Sequence, residues 1–591
     1  MKKLLLILLL HLTGLAYAQN TITGRVTTAK EGIPLPGVSV VVKGSSVGTT
    51  TDSQGAYSLN APEAATTLSF SFIGFVTQEI PIGNKATINV QLAEDAQALE
   101  EVVVVGYGTQ LRREVTTAIS SVKPEEITQT PVQRVEQALQ GRVAGVQVAN
   151  VSGQPGDAPT VRIRGIGTSG NSNPLYIVDG FPVGGIDYLN PADIQSMEVL
   201  KDAASAAIYG ARGANGVVVI TTKSGTRDGK MHISYDGYIG FQNPWRRMDV
   251  LNAREYAIMM NEGAVNAGSS IPYPDVSQFG EGTDWQEALF EDNAPIMNHQ
   301  VSVNGGSEKN AYAAAFSIFD QNGIVGGDKS NFKRYTARVN SDNKVKDYLR
   351  IGTNLAYSHI DRRSIDPNQE FGGLLSNAIN LDPLTPVIVT DPEMLAKSPY
   401  TNPRVIRDAN GNPYGISSYV AQEIVNPLAR LAVLNGRTRV DKLVGNLYGE
   451  VDITEGLTFR STFGLDLAFV SSNNFNPLFY LNASTSNDNT LVSKGVDRYY
   501  NWQTENYFNY NKTFGDHDLG LTLGTSALKY NTETLYASNT GLVSNDPYYA
   551  YLDLAVSRGD AIATGGENER ALLSYYAVSY THLTLPTICS V

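Results

Sequence analysis

Cysteine is almost missing from these 591 residues: the only one is Cys589. It falls in residues 578–591, a stretch that reads like translated adapter sequence and fits no functional motif, so this tail is expected to be non-native. Disulfide and thiol chemistry are then excluded for the rest of the chain. Histidine is scarce as well. His232, His299, His359 and His517 are the ones between the first 18 residues and the tail, and no two lie at ligand spacing. A zinc or histidine-based site is therefore not expected, and no metal or cofactor is assigned. Charged residues make up only 17%, against roughly 25% in soluble proteins. Basic residues are in deficit, with a net charge of −13. That balance argues against nucleic acid as a partner, because phosphate binding needs a basic face. Beyond residue 18 there is no apolar run of about 18 residues, the length a membrane-crossing helix needs. Any spanning structure must then be a closed β-barrel type.

What is plentiful is Tyr, at 31 against 18 Phe and 3 Trp, together with 55 Gly. That mixture suits many strands and turns better than packed helices. Residues 1–18 read as an export signal: Lys2 and Lys3, an apolar run from Leu4 to Leu10, then Ala16, Tyr17 and Ala18 before Gln19. Gln19 is not the cysteine that lipid anchoring would require. Residues 19–100 alternate with the two-residue period of strands at 22–26, 38–42, 57–59, 68–72 and 88–92. Turn residues at 34–37, 52–55 and 83–84 separate them, which predicts a small β-sandwich. Gly24, Val26, Pro36, Gly37, Gly48, Asp52, Gly55 and Tyr57 in that order resemble the carboxypeptidase-regulatory-like domain. The resemblance names a fold and no activity.

Residues 101–111 follow an acidic link. Glu101, Val102, Val103, Val104, Val105, Gly106, Tyr107 and Gly108 open this segment. Four consecutive β-branched residues favour extended backbone. The segment reads either as an ordinary strand or as an exposed one, able to add to a partner's sheet edge. Residues 112–226 form a mixed α/β unit. A helix is expected over 131–143, with Val132, Val135, Leu139 and Val143 on one face. A second is expected over 202–209, ended by Gly210. Strands are expected at 161–164, 174–179, 196–200 and 216–222.

From about His232 the alternation lengthens. Leu349, Ile351, Leu355 and Tyr357 oppose Arg350, Gly352 and Asn354, while Tyr335 and Val339 oppose Arg334 and Arg338. Soluble sandwiches alternate too. Arginine and asparagine on one face with aromatics on the other favour a polar lumen and a lipid-facing wall, over residues 227–577. Gly165 to Gly170 matches G-x-G-x-x-G, but Asn171 to Pro174 then begins a loop where a dinucleotide site needs a helix. Residues 408–412 (Asp-Ala-Asn-Gly-Asn) lack a complete calcium loop and read as a turn.

Four segments together resemble the SusC/RagA family of TonB-linked outer-membrane proteins. They are the sandwich; residues 101–110; Val161 to Gly165 with Asn173 to Val183; and Asp193 to Asp202 continuing into Ile208 to Val217. Arg162, Arg164, Gly165, Tyr176, Asp179, Gly180, Tyr209, Gly210, Arg212, Gly213, Asn215 and Gly216 carry the middle and last matches. The resemblance covers most of residues 20–226. It implies a multi-domain, mainly β chain with an N-terminal β-sandwich, a small α/β plug at 112–226 and an incomplete transmembrane antiparallel β-barrel. Eight to twelve barrel strands are legible, where such transporters carry about 22, so the chain is expected to be truncated. The resemblance further implies that residues 101–108 are a TonB box and that the chain is no enzyme. Implied partners are the TonB–ExbB–ExbD complex, a SusD-like lipoprotein and outer-membrane lipid. The implied function is active import of a glycan or peptide oligomer. A passive glycan-binding receptor or adhesin is the alternative.

Overall fold

The computed structural model describes residues 20–583, apart from short breaks at 30–31, 44, 46, 63–65, 73–74, 84, 94–101, 105–108, 112–118, 129, 151, 366–368, 421, 516 and 557–558. The signal segment 1–18, residues 584–591, Glu101 and Val105 to Gly108 therefore lie outside the described residues. The chain divides into two units, Met1–Thr116 and Thr117–Val591.

The first unit contains seven short strands: β1 (Asn20–Thr28), β2 (Ser39–Val42), β3 (Gly48–Thr50), β4 (Ala56–Ala61), β5 (Thr67–Ser71), β6 (Gln78–Pro81) and β7 (Val90–Leu92). They form two sheets, ordered β4-β1-β7 and β3-β2-β5-β6. Alternate side chains point into one core, where Val26, Val38, Val40, Leu68, Phe70 and Leu92 are fully buried. The Tyr57 ring meets Phe70 edge-on at 5.5 Å, and its hydroxyl donates to the Ile88 carbonyl at 2.9 Å. The turn into β4 is set by Asp52, whose carboxylate accepts from the backbone N–H groups of Gln54 and Ala56. Gly55 follows at φ +72, where an added Cβ would sit 2.5 Å from the Val26 carbonyl. Strands β3 and β6 escape the periodicity because they are short edges with only partial burial. After this sandwich, β8 (Val102–Val104) pairs antiparallel with β9 (Thr109–Leu111).

The second unit begins with the strands β10 (Ile119–Val122), β11 (Val146–Ala149), β12 (Thr160–Ile163), β13 (Leu175–Val178), β14 (Phe181–Val183), β15 (Ile194–Leu200) and β16 (Val217–Thr222). Five make a sheet ordered β10-β15-β16-β13-β14, while β11 and β12 pair separately. Its core includes Val122, Ile127, Leu139, Met197, Val199, Val218 and Ile220, all essentially inaccessible. The helix expected over 131–143 is not formed. Only Val135–Leu139 coils, as a 3-10 helix between extended residues Arg134 and Gln140. Val135, Leu139 and Val143 are nonetheless buried together. Burial drives their positions, and β-branching with Gly141 at φ +72 prevents a longer helix. The run at 202–209 splits into Ala203–Ala206 and a 3-10 stretch, Ala207–Gly213, kinked at Gly210.

Ten long strands follow: β17 (Met231–Gln242), β18 (Ala294–Gly306), β19 (Asn310–Gly323), β20 (Gly327–Lys346), β21 (Leu349–Arg363), β22 (Arg437–Thr454), β23 (Leu457–Asn476), then, past the small pair β24 (Phe479–Tyr480) and β25 (Ser486–Asn487), β26 (Leu491–Phe514), β27 (His517–Thr540) and β28 (Ile562–Leu583). They form one antiparallel meander with β17 and β28 as its edges. Residues 307–309, 347–348 and 455–456 turn tightly at one end, where Gly515 also ends β26. Residues 243–293, 364–436, 477–490 and 541–561, with the short connection 324–326, join strands at the other. That asymmetry marks the long-loop end as extracellular. The two faces differ as the alternation predicts. Arg334 and Arg338 are 1% and 3% exposed on the inner face, whereas Tyr335 and Val339 are 40% and 51% exposed on the outer.

Candidate functional site at the seam between the α/β unit and the barrel wall

The short sheet of residues 119–222 packs against the inner face of the ten-strand wall, and the motif residues mainly build that inserted unit. Asp179 and Gly180 form the two-residue turn between β13 and β14, both at positive φ, 48° and 82°. The Asp179 carboxylate accepts from the Thr222 N–H and hydroxyl, both at 2.8 Å, tying the turn to the end of β16. Arg162 donates to the Asn173 side chain at 2.8 Å, and Asn215 donates to the Asn171 carbonyl at 2.9 Å. These contacts gather the loop 164–174 against β12 and the start of β16. Arg164 and Gly165, at φ 56° and 95°, turn the chain out of β12 into that loop. Gly216, at φ +86, lies where an added Cβ would strike the Ile163 side chain at 2.7 Å, and one at Gly213 would meet the Ala206 carbonyl at 2.9 Å. Tyr209 is buried beside the Gly210 kink, and Arg212 follows it in the same 3-10 stretch. Burial, then the nearby Glu136 carboxylate, pushes the Tyr176 phenol up.

The groups that join this unit to the wall are mostly others. From β20, Arg334 donates to the Asp187 carbonyl at 2.9 Å, Thr336 to the Tyr188 carbonyl at 3.3 Å, and Arg338 to the Lys223 carbonyl at 2.6 Å. Asn340 donates to the Thr222 hydroxyl at 2.8 Å. From β18, Gln300 donates to the Asp193 carboxylate at 2.9 Å, and Asn298 accepts from Asn190 at 3.2 Å. From β22, Asn446 donates to the Asp179 carbonyl at 3.0 Å and Lys442 to the Gly185 carbonyl at 3.2 Å. The Lys442 ammonium also lies 3.7 Å from Asp466, 3.8 Å from Asp187 and 5.0 Å from the Tyr188 ring centre. Burial raises the pKa of Asp193 above the usual carboxylate value despite the Arg338 charge, and that of Asp179 despite its two bonds from Thr222.

The seam is thus stitched by hydrogen bonds and charge pairs, with tight apolar contacts such as Phe181 on Gly464 between them. Each neutral bond contributes only about 0.5–1.5 kcal/mol, because water is an adequate replacement partner. Such an interface can be wetted and parted without exposing a large oily surface. Arg334 and Arg338 were legible as inward-facing from their alternation with Tyr335 and Val339. Asp466 alternates in the same way with Leu465 and Leu467, whereas nothing local distinguishes Gln300, Lys442 and Asn446 from other polar lumen positions. Asp408 is an Asx turn, its carboxylate accepting from the N–H groups of Asn410 and Asn412. No group of three or more His, Cys, Asp or Glu suited to a metal ion occurs among the described residues. Residues 165–174 form a loop. Within residues 101–108, Val102–Val104 form the short pair described above, and the others lie outside the described residues.

An α/β unit packed on the polar inner face of an antiparallel ten-strand wall, with short turns at one end and mostly long loops at the other, is the arrangement of a plug within part of an outer-membrane barrel. Residues 112–217 match the TonB-dependent Receptor Plug Domain family, and residues 22–104 match the CarboxypepD_reg-like domain family. The chain is 35% identical over 535 residues to TonB-dependent receptor P26 of Formosa agariphila, covering 88% of this chain and 50% of that protein. It is 34% identical over 447 residues to the TonB-dependent receptor SusC of Bacteroides thetaiotaomicron, covering 73% and 43%. It is similar in structure to the RagAB peptide importer in its open-open state, with TM-score 0.69, 25% identity, and coverage of 82% of this chain and 55% of that one. The chain belongs to the SusC/RagA family of TonB-dependent receptors and is an outer-membrane protein. It spans about half the length of the curated relatives it matches.

Proposed function

We propose that this protein takes part in TonB-dependent active import of a nutrient, a glycan or peptide oligomer, across the outer membrane. The observation that carries the reading is the seam: a plug held in a polar lumen by bonds that water can replace. An outer membrane has no energy source of its own, so parting that seam needs work from outside. The segment Glu101 to Gly108, a run of β-branched residues preceding the plug in the chain, is assigned as the TonB box. It would add as a strand to periplasmic TonB, driven in turn by ExbB and ExbD. A SusD-like lipoprotein would present the substrate at the long-loop end. The partnership in the RagAB peptide importer's name supports a two-component arrangement. Nothing in this reading requires enzymatic chemistry.

Deleting residues 101–108 is expected to abolish uptake while leaving outer-membrane insertion intact, scored by transport of labelled oligomer into cells and by membrane fractionation. Uptake that survives the deletion would sink the proposal. The alternative is a receptor or adhesin that binds glycan without translocating it. The exposed Tyr419, Tyr548, Tyr549 and Tyr551 of the long loops would serve either. Binding without TonB-dependent uptake would select the alternative.

A further inference from the structure

The outward face of the wall changes character toward the long-loop end. Strand register sets two successive rows of side chains there. In one, Asn331 faces Arg363, and Arg437 faces Asn473, which faces Lys494. In the other, Lys333, Asp361, Arg439 and Ser471 oppose one another in turn. Alternation with the inward Arg334, Arg362 and Lys442 puts both rows on the outside. They carry Lys333, Arg363, Arg437, Arg439 and Lys494 against a single carboxylate, Asp361. The flanking charges are matched: Lys333 lies 2.9 Å from Asp320, while Asp441, one row nearer the short turns, accepts from Tyr357 at 2.7 Å and lies 2.8 Å from His359 Nδ1.

Asp361 is taken by Arg437, whose Nε donates to it at 2.8 Å and whose terminal nitrogen donates to its second oxygen. Arg439 is left with a charge contact to the same carboxylate at 3.7 Å, beyond hydrogen-bond reach. Arg363 donates to the Asp328 carbonyl at 3.3 Å, and the Lys494 ammonium lies 5.2 Å from the Tyr551 ring centre. A guanidinium carries five N–H donors in a planar fork, so Arg363 and Arg439 have donors to spare. Two rows nearer the short turns the same face holds exposed Tyr357 and Tyr500, and the next row Val339, Leu355 and Trp502. Tyr357 stands about 13 Å along the strand from Asp361, at roughly 3.3 Å per residue.

Whatever covers this face must be apolar against the aromatic rows and anionic against the arginines. Hydrocarbon alone leaves the guanidinium donors unanswered, and a water-soluble partner leaves the apolar rows uncovered. The arginine fork matches the oxygens of a phosphate two at a time. Arg363 and Lys494 stand on strands three steps apart in the order β21-β22-β23-β26, about 14 Å, so a headgroup with two phosphates can engage both ends. We propose that Arg363, Arg439 and Lys494, with Arg437 fixed among them by Asp361, form a docking site for the phosphate-bearing headgroup of an outer-leaflet lipid, whose acyl chains lie along Leu355 and Trp502. The site depends on the wall lying in the outer membrane and not on the import reading.

Native mass spectrometry of the detergent-purified protein counts the lipids it retains from mixed micelles. The probes are bisphosphorylated lipid A, its dephosphorylated form and phosphatidylethanolamine. The bisphosphorylated form is expected to be retained about tenfold over the other two. Arg363→Gln with Arg439→Gln should cut that preference to about threefold or less. Arg498→Gln, an outward cation already paired with Glu533 at 3.3 Å, should leave it unchanged. Where the double variant does not insert, the wild type decides: its preference should collapse as sodium chloride is raised, because exposed charge contacts are screened. Equal retention of the two lipid A forms, a preference that survives in the double variant, or one that ignores salt would overturn the assignment. Displacement of lipid A by inorganic phosphate alone would show a free-anion site and would overturn the lipid as its occupant.

Discussion

Arg338 of β20 and Asp193 of the plug face each other across the seam with Nε 3.3 Å from Oδ1, and their side chains are only 3% and 2% exposed. The approach is a charge contact, since Nε itself makes no hydrogen bond. The carboxylate takes its bond from Gln300 and the guanidinium gives its bonds to Lys223 and Thr222. Neither charge can be removed alone without stranding the other in the lumen. Asp193→Ala or Arg338→Met singly should weaken plug seating by about 3–5 kcal/mol, with the double variant far less impaired than the sum. Urea-induced release of the plug, followed by protease sensitivity in liposomes, measures this. Additive single and double variants would show that the pair is not coupled.

Burial gives Asp179 an unusual pH dependence. Its folded value is raised above the ordinary 3.8, by burial first, against its two bonds from Thr222. A folded plug then binds this proton more tightly than an unfolded one. Its contribution to stability is fully present below 3.8 and is lost as pH rises through the raised value. Mild acidification from neutrality is expected to slow urea release more in the wild type than in Asp179→Asn. Parallel profiles for the two would contradict this.

Steric fit makes a sharper test. A Cβ at Gly464 would lie 2.2 Å from the Phe181 ring on the plug, whereas one at Gly449 on the neighbouring strand meets nothing. Gly464→Val should displace the plug at a cost of about 1–3 kcal/mol. Planar-bilayer recordings should show raised basal conductance for Gly464→Val and none for Gly449→Val. Equal conductance in the two variants would mean that Phe181 does not seal the wall at this point.

The proposed handle makes a backbone prediction. Val103→Pro deletes an N–H and fixes φ, which strand addition does not tolerate. Uptake should fall more than tenfold with normal membrane insertion, while Val103→Thr, which keeps the donor and β-branching, should retain most transport. Indifference to proline would show that main-chain pairing at this position is not used.

Periodicity made much of this fold legible, because a residue's side of a strand is a local matter. Alternation placed Arg334 and Arg338 inward and Tyr335 and Val339 outward. The turn residues Asp52 and Gly55, and Asp179 and Gly180, sit where positive φ or an Asx bond is needed. Where burial competed with propensity the reading failed. Residues 131–143 have a helical stripe, yet the plug core holds Val135, Leu139 and Val143 through a single 3-10 turn.

By itself, then, the amino-acid order determined most of the strands, the two-faced wall and the family motifs of the plug, since each depends on neighbours within a few residues. Which polar lumen residues grip the plug, Lys442 on Gly185 or Gln300 on Asp193, was decided only when strands more than 100 residues away packed against it. The same packing left Gln321 with an unanswered acceptor. Hydrogen bonds are short and directional, so their partners follow from three-dimensional placement, whereas facing in or out follows from the pleat.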